Sequence, residues 1–349
     1  MSAAAEGARK RTGAPSWLGP VAARAGTLVL QVLGVVTIVF VLVRVFLDNP
    51  ARALAGQNQS PEAIAAITER LGLDGSLPQQ FWSYLTSLFQ GDLGDAFSTG
   101  NPVLTDLRER VPATLLLITV ALAIAAVIAL LLAAAVTARP RGLLARGVSG
   151  YGFVAGALPD FWIGLALVFV FYFQLGVVPA PAGQLDPAYS VEIVTGAAVI
   201  DALIAGNMAA FSDALAHMAL PVATLVLVYT GPILRLTMTA SRSGLGMDFV
   251  RFGRALGLRQ RRITWYAVRN ALPTFVTILG TTYGFLLGGA VLVETVFSWG
   301  GAGQYAVAAV QQSDFAALQG FVLVAGIFSA LVYLAVDLLY YVVDPRARA

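Results

Sequence analysis

Six stretches of about 20 residues or more carry almost no charge, and they constrain the fold more than any other feature. They cover residues 25–43, 111–138, 147–185, 214–234, 270–293 and 315–336, and Asp160 is the only residue in them with a formal charge at pH 7. A helix needs about 20 apolar residues to cross a bilayer. Only 12% of the chain is charged, against about 25% in soluble proteins. The sequence therefore predicts an all-α integral membrane protein with six transmembrane helices.

The composition also excludes several kinds of chemistry. The chain has no cysteine and one histidine, His217, so it lacks the residues for a thiolate nucleophile or a cysteine- or histidine-rich metal site. Lys10 is the only lysine, so no phosphate-binding loop with its essential lysine is present. We expect no cofactor and no metal on this chain. If ATP drives its function, the nucleotide and its magnesium belong to a partner.

The basic residues indicate the orientation of the six predicted helices. Most of the 22 lysines and arginines precede the first span, lie between the second and third or the fourth and fifth, or follow the last. Loops rich in lysine and arginine stay in the cytoplasm. We therefore predict that both termini are cytoplasmic. The only serine–histidine pair that suggests a protease, Ser149 and His217, would then lie at opposite membrane surfaces, which excludes that chemistry.

These considerations set the boundaries of the predicted segments. They are a cytoplasmic tail (1–21), the first span (22–46), an external helical segment (47–111), the second span (112–138), a cytoplasmic loop (139–149), the third span (150–176), an external loop with a surface helix (177–213), the fourth span (214–240), a cytoplasmic loop (241–271), the fifth span (272–298), an external loop (299–313), the sixth span (314–343) and a cytoplasmic tail (344–349).

The loop at 241–271 has the pattern of a short amphipathic helix. An apolar face is predicted from the spacing of four residues, while the arginines between them fall on other faces; the apolar residues are Phe249, Phe252, Leu256 and Ile263. Gly257 supplies a conformation that ends a helix. Two interpretations stay open from the pattern alone: a helix that docks into a partner protein, or a basic helix held at the membrane surface by anionic lipid.

The same loop resembles a family-specific element. Arg251-Phe252-Gly253, Gly257 and Leu272-Pro273 stand where permeases of ABC importers carry their EAA loop, although Phe252 and Gly253 depart from the usual residues. Further motifs follow in the order typical of the first permease of the oligopeptide/dipeptide/nickel branch. They are Glu69–Asp74, Gly91–Gly94, Arg110–Leu115, Leu158–Gly164, Asp201–Asn207, His217–Pro221 and Glu294–Trp299.

This resemblance implies a type I ABC importer permease, half of a translocation pore in the bacterial inner membrane. Its partners would be a second, homologous permease, two cytoplasmic ATPase subunits or domains, an external solute-binding protein and membrane lipid, but no nucleic acid. Peptides are the implied substrates; nickel or another small solute is the alternative, and a free-standing channel or carrier would leave the loop unexplained. The residues implied in ATPase coupling are Asp248, Phe249, Arg251, Phe252, Arg254, Ala255, Gly257 and Leu258.

A second group of residues is predicted to line the translocation path. Asp160 leads it, because an ionisable residue inside a span is costly and its default interpretation is functional. It is expected to attract the amino terminus of a peptide; alternatively, Pro159 opens the helix and Asp160 pairs with a neighbour. Phe161, Trp162 and Tyr283 are further candidates. Glu294 is expected near the external mouth of the path. Three roles are possible there: closing a gate, contacting the binding protein, or forming a structural hydrogen bond.

Overall fold

The computed structural model describes residues 18–46, 60–70 and 74–343. The remaining residues lie outside this description. They include most of the predicted N-terminal tail (1–21), part of the external segment (47–111) and the whole C-terminal tail (344–349).

The described residues are almost entirely helical. Thirteen α-helices and one π-helical segment follow each other along them: α1 (Leu18–Phe46), α2 (Pro61–Arg70), α3 (Leu77–Phe89), α4 (Val103–Ala138), α5 (Leu143–Val154), α6 (Asp160–Leu167), the π-helical segment (Val168–Gln174), α7 (Ala198–Ile204), α8 (Met208–Leu245), α9 (Asp248–Ala255), α10 (Gln260–Gly289), α11 (Val291–Val296), α12 (Ala302–Gln311) and α13 (Phe315–Val343).

Four of these helices are long and apolar enough to cross a membrane: α4, α8, α10 and the 315–336 part of α13. Two shorter apolar helical segments, Gly26–Val41 within α1 and Asp160–Gln174, coincide with the other two apolar stretches of the sequence. The all-helical membrane fold is thus confirmed for the described residues. The count of six spans and the position of the termini remain predictions.

The third predicted span (150–176) is not one continuous helix. It consists of α5, a break at residues 155–159, α6 and the π-helical segment. The break packs closely against α8: a side chain at Gly231 would come within 2.5 Å of Ala155 Cβ, and one at Gly156 within 3.3 Å of Pro232. Pro159 disfavours helical geometry in the residue before it. The break therefore has a local cause and a fixed neighbour.

The centre of the bundle is formed by α4 and α8, which share the most extensive interhelical contact. On α4, alanines recur at every fourth position and are buried: Ala121, Ala125, Ala129 and Ala133. Residues four apart lie on one helix face. Small residues on such a face let helix backbones approach closely, which is how helices associate in a membrane.

On the side of the bundle that carries the predicted external segments, a second and smaller core joins residues 91–107 to α12 and α13. Its apolar residues are Ala96, Val103, Leu107, Ala302, Tyr305, Ala309 and Ala317. Asp314 links the segment before α13 to residues 91–107, because its carboxylate accepts hydrogen bonds from the backbone N–H and the hydroxyl of Ser98 at 2.8 and 2.7 Å. In the predicted external loop (177–213), the seven-residue α7 precedes the start of α8 at Met208, and the Asp201 side chain of α7 is buried.

Candidate functional site

The short helix α9 lies between two long helices that hold its ends. Its chain comes from α8 through a tight turn and continues into α10. Directly beneath this turn the two long helices touch, since a side chain at Gly244 would come within 3.1 Å of the Ala267 carbonyl oxygen. The position of α9 is therefore tied to the relative position of α8 and α10.

Few residues of α9 face the rest of the chain. Val250 and Gly253 are buried within it, and Leu258, just beyond its end, packs near Gly253. A side chain at Gly253 would come within 3.1 Å of Leu258 Cδ1. Gly257 ends the helix with φ +71°, in the left-handed region that favours glycine. These four positions explain why α9 is short and how it is anchored.

The other face of α9 presents apolar side chains that the described part of the chain leaves largely exposed. Phe249, Phe252 and Leu256 are 43%, 67% and 64% exposed. The predicted apolar face is correct for these three residues. Ile263 does not belong to it: it lies in α10 and is buried, because the turn after Gly257 starts a new helix in a different direction.

The remaining predicted coupling residues surround this apolar patch. Asp248 and Arg251 are exposed and 3.6 Å apart, a surface pair that contributes little to stability. Arg254 and Ala255 are also exposed. Asp248 in the first turn and Arg254 in the last both favour the helix, because each complements the helix dipole at its end.

Asp160 begins α6, immediately after the break in the third predicted span. Its Oδ1 accepts a hydrogen bond from the backbone N–H of Phe161 at 2.8 Å, and the Tyr229 hydroxyl of α8 donates weakly to Oδ2 at 3.5 Å. An acid in the first turn of a helix gains about 0.3–1 kcal/mol from the helix dipole. That gain is smaller than the roughly 2.5–3.5 kcal/mol cost of a carboxylate in a span. The local helix geometry alone does not account for Asp160.

The other predicted path residues do not gather around Asp160. Successive residues of an α-helix differ in direction by about 100°, so Phe161 and Trp162 point away from the face that Asp160 occupies. Both are exposed. Tyr283 of α10 contacts a different pair of helices: its hydroxyl lies 2.6 Å from Thr119 Oγ1 of α4, and its ring packs 5.7 Å from that of Phe328 in α13.

Glu294 is enclosed by protein and does not line a solvent-exposed surface of this chain. Its side chain is completely buried. Thr114 of α4 donates its hydroxyl to Oε1 at 2.6 Å, and the backbone N–H of Gln304 in α12 donates to Oε2 at 3.0 Å. Side chains at Gly301 or Gly303 would collide with this carboxylate. This arrangement agrees with one of the three alternatives, a structural hydrogen bond, and a path-lining role of Glu294 stays a prediction.

Two of the sequence motifs, Arg110–Leu115 and Glu294–Trp299, contact each other at this carboxylate. The Trp299 indole donates to the Ala113 carbonyl oxygen at 3.1 Å, next to the Thr114–Glu294 contact. One turn earlier on α4, the Arg110 guanidinium lies 5.0 Å from the centre of the Tyr305 ring. Burial raises the pKa of the Tyr305 phenol, and the carboxylates of Asp106 and Asp314 add to that effect. The sequence order of the motifs gave no sign of this contact.

No group of three or more histidine, cysteine, aspartate or glutamate side chains is arranged to hold a metal ion within the described part of the chain.

Comparison with known families identifies the chain. Residues 125–349 match the family described as the binding-protein-dependent transport system inner membrane component, and residues 21–119 match the N-terminal family of the same membrane components. The chain belongs to this permease family. The resemblance inferred from the sequence motifs is thereby confirmed, and with it the role of a permease subunit of an ABC importer, in which partner ATPases hydrolyse ATP.

Individual relatives agree with this assignment over nearly their full length. The permease is 40% identical to the probable D,D-dipeptide transport permease of Escherichia coli K12, over 91% of this chain and 94% of the relative. It is 36% identical to the di/tripeptide permease of Pseudomonas aeruginosa UCBPP-PA14, over 94% and 98%. It is 33% identical to the dipeptide permease of E. coli K12, over 93% and 97%.

Proposed function

We propose that this chain is one of two homologous permease subunits of an importer for short peptides, with six spans and both termini in the cytoplasm. The names of the relatives support peptides as the substrate class. The arginine-rich loops support the orientation. The chain itself is non-catalytic, and a solute-binding protein delivers the peptide from outside.

The distance of α9 from the apolar part of the bundle is the observation that carries this proposal. The uncharged stretch of the fourth span ends at residue 234, yet α8 continues to Leu245; α10 likewise starts at Gln260, while its uncharged stretch starts at residue 270. At 1.5 Å per residue, these extensions are about 17 and 15 Å long, or about 8 and 18 Å when counted from the predicted span ends at residues 240 and 272. The headgroup layer is only about 5–8 Å thick on each side. This favours a docked protein partner over a helix lying on lipid.

The exposed patch of α9 is suited to a groove in an ATPase subunit. Burying the exposed parts of Phe249, Phe252 and Leu256 would stabilise a complex by about 3–5 kcal/mol, at the usual value for fully buried apolar side chains. The arginines around the patch add electrostatic attraction to an acidic rim. Because α9 connects α8 and α10, closure of the two ATPases would shift these helices. This transmits force only if the ATPase binds α9 differently in its open and closed states.

Copurification tests this proposal. The tagged permease, its Phe252→Ala variant and its Leu143→Ala variant are expressed in the native host, extracted in mild detergent and analysed by mass spectrometry. Leu143 is a matched control, because it is also an exposed apolar residue in a predicted cytoplasmic segment. Removing the Phe252 ring should weaken ATPase binding by about 1–2 kcal/mol, or roughly 5- to 30-fold.

The expected result is recovery of a P-loop ATPase with the parent chain and the Leu143 variant, but much less with the Phe252 variant. A second permease should accompany all three. Equal ATPase recovery from the Phe252 and Leu143 variants would contradict docking through α9. A parent chain that copurifies with no ATPase would contradict the assignment of partners.

A further inference from the structure

The carboxylate of Asp160 is not paired with a basic side chain in the part of the molecule that the structure describes. Among the described residues, no lysine, arginine or histidine nitrogen lies within 4 Å of it. Its two contacts are a hydrogen bond from its own helix and a weak one from Tyr229 at 3.5 Å. The side chain is only partly buried. An acidic group in a span is normally paired or faces a water-filled cavity, so Asp160 retains the capacity to bind a cation.

The depth of Asp160 in the bundle is set by its neighbour on α8. Tyr229 lies about 24 Å along α8 from Leu245, given 1.5 Å per residue, and so well inside the predicted fourth span. The break at residues 155–159, packed against Gly231 and Pro232, brings the start of α6 to this level. The backbone of two helices therefore fixes the height at which the carboxylate stands.

Tyr229, the aromatic neighbour of the carboxylate, has a second aromatic ring beside it. The Tyr229 ring packs against Phe285 of α10 with centroids 6.4 Å apart. Phe285 is largely exposed in this chain. Gly288 has open space where a side chain would stand, whereas a side chain at Gly289 would come within 3.2 Å of the Tyr229 hydroxyl. A glycine at position 289 therefore allows the Tyr229 hydroxyl and the Phe285 ring to approach α10 closely, and the open space lies at the next residue, Gly288.

We propose that Asp160, Tyr229 and Phe285 form a subsite for an organic ammonium group of the transported solute. A primary ammonium matches this set, because it donates to a carboxylate and a hydroxyl and is attracted to aromatic faces within about 6 Å. Divalent cations such as calcium need more oxygen ligands than one carboxylate and one phenol provide. The subsite rests on the proposed function of the chain as a peptide permease, and it identifies a free amino group as the feature recognised during passage.

Two sources supply such a group to a short peptide: its amino terminus and a lysine side chain. The test uses the complete importer in proteoliposomes with its binding protein and internal ATP. Three peptides are compared: a free dipeptide, its N-acetylated form, and an N-acetylated dipeptide that contains lysine. Binding of each peptide to the binding protein is measured first. The same binding protein is used with every permease variant. The ratio of initial import rates between peptides, compared across permease variants, therefore reports on the permease alone.

Asp160→Asn keeps the size of the side chain and removes its charge. We expect it to lower the ratio of free to acetylated dipeptide import about tenfold, as for the loss of one charge-assisted hydrogen bond. Glu192→Gln removes one negative charge from an exposed residue of the predicted external loop and should leave the ratio unchanged. If the acetylated lysine peptide also loses its advantage over its lysine-free counterpart in Asp160→Asn, the subsite accepts both sources of ammonium; if it does not, the subsite is specific for the amino terminus.

An unchanged ratio in Asp160→Asn, with import intact, would overturn the subsite and leave the peptide permease standing. A parent importer that transports none of the three peptides would instead overturn the proposed function. If Asp160→Asn does not assemble, the ratio is measured in Asp160→Glu and Tyr229→Phe, which retain the negative charge. The first shifts the carboxylate and the second removes its hydroxyl neighbour, so unchanged ratios in both would equally overturn the subsite.

Discussion

The buried contact between Thr114 and Glu294 makes the sharpest prediction about stability. The Thr114 hydroxyl has two roles: it donates to Glu294 Oε1 at 2.6 Å, and it accepts from the backbone N–H of Ala302 at 2.9 Å. Thr114→Val keeps the shape and removes both hydrogen bonds. Neither group left behind has access to water, because Glu294, Thr114 and Ala302 are all buried.

The loss of stability follows from the two groups that lose their hydrogen-bond partner, the Glu294 carboxylate and the Ala302 backbone N–H. An unpaired buried donor or acceptor costs about 1–3 kcal/mol, and more where a charge is involved. Thr114→Val should therefore destabilise the permease by about 2–5 kcal/mol. Thr114→Ser retains the hydroxyl and loses one methyl group, at a cost of about 1 kcal/mol. The difference between the two variants isolates the hydrogen bonds from the loss of packing.

The measurement is the free energy of unfolding in mixed micelles, followed by circular dichroism during denaturant titration. Thr224→Val is the matched control. Thr224 is also fully buried, but its hydroxyl donates only to the Leu220 carbonyl oxygen one turn earlier at 2.9 Å. That carbonyl retains its helical hydrogen bond, so the control should change stability by less than about 1 kcal/mol. If Thr114→Val is no less stable than Thr224→Val, the account of Glu294 as a structural anchor is wrong.

Two further predictions concern the cytoplasmic and external loops. Gly257→Ala forces a residue with a side chain to adopt φ +71°, so it should destabilise the end of α9 by about 1 kcal/mol and lower the rate of ATP-driven import. Gly142→Ala, also in a predicted cytoplasmic loop, is the control. Equal import rates for the two variants would contradict the assigned turn. Asp201→Ala removes a buried carboxylate that accepts three hydrogen bonds from Thr195 and Gly196 at 2.7–3.0 Å. Proteolysis within residues 177–197 should therefore become faster. An unchanged cleavage rate would show that Asp201 does not stabilise this loop.

The sequence predicted the parts of the structure that depend on local pattern. Apolar stretches without charge predicted where the long helices run, since length and hydropathy alone decide whether a helix suits a bilayer. The spacing of Phe249, Phe252 and Leu256 predicted the exposed face of α9, because residues three, four and seven apart lie on the same side of a helix. Ile263 was assigned to that face wrongly, because Gly257 permits a change of direction that spacing does not reveal.

The rest depends on contacts between distant segments. Thr114 and Glu294 are 180 residues apart, and no local pattern indicates which buried hydroxyl satisfies a carboxylate. Pro159 predicts a break before Asp160, but the packing of that break against α8 depends on Gly231 and Pro232 in another helix.

The most direct test of the account is cross-linking from α9 to the ATPase. The chain has no native cysteine, so Phe252→Cys and Leu143→Cys each introduce a single reactive site. Inner membranes from the native host, containing the assembled importer, are treated with a short thiol-to-amine cross-linker, and the adducts are identified by mass spectrometry. We expect an adduct between position 252 and a P-loop ATPase, and none from position 143. Labelling of position 252 by a membrane-impermeant thiol reagent applied outside intact cells, with no ATPase adduct, would contradict both the orientation and the coupling role of α9.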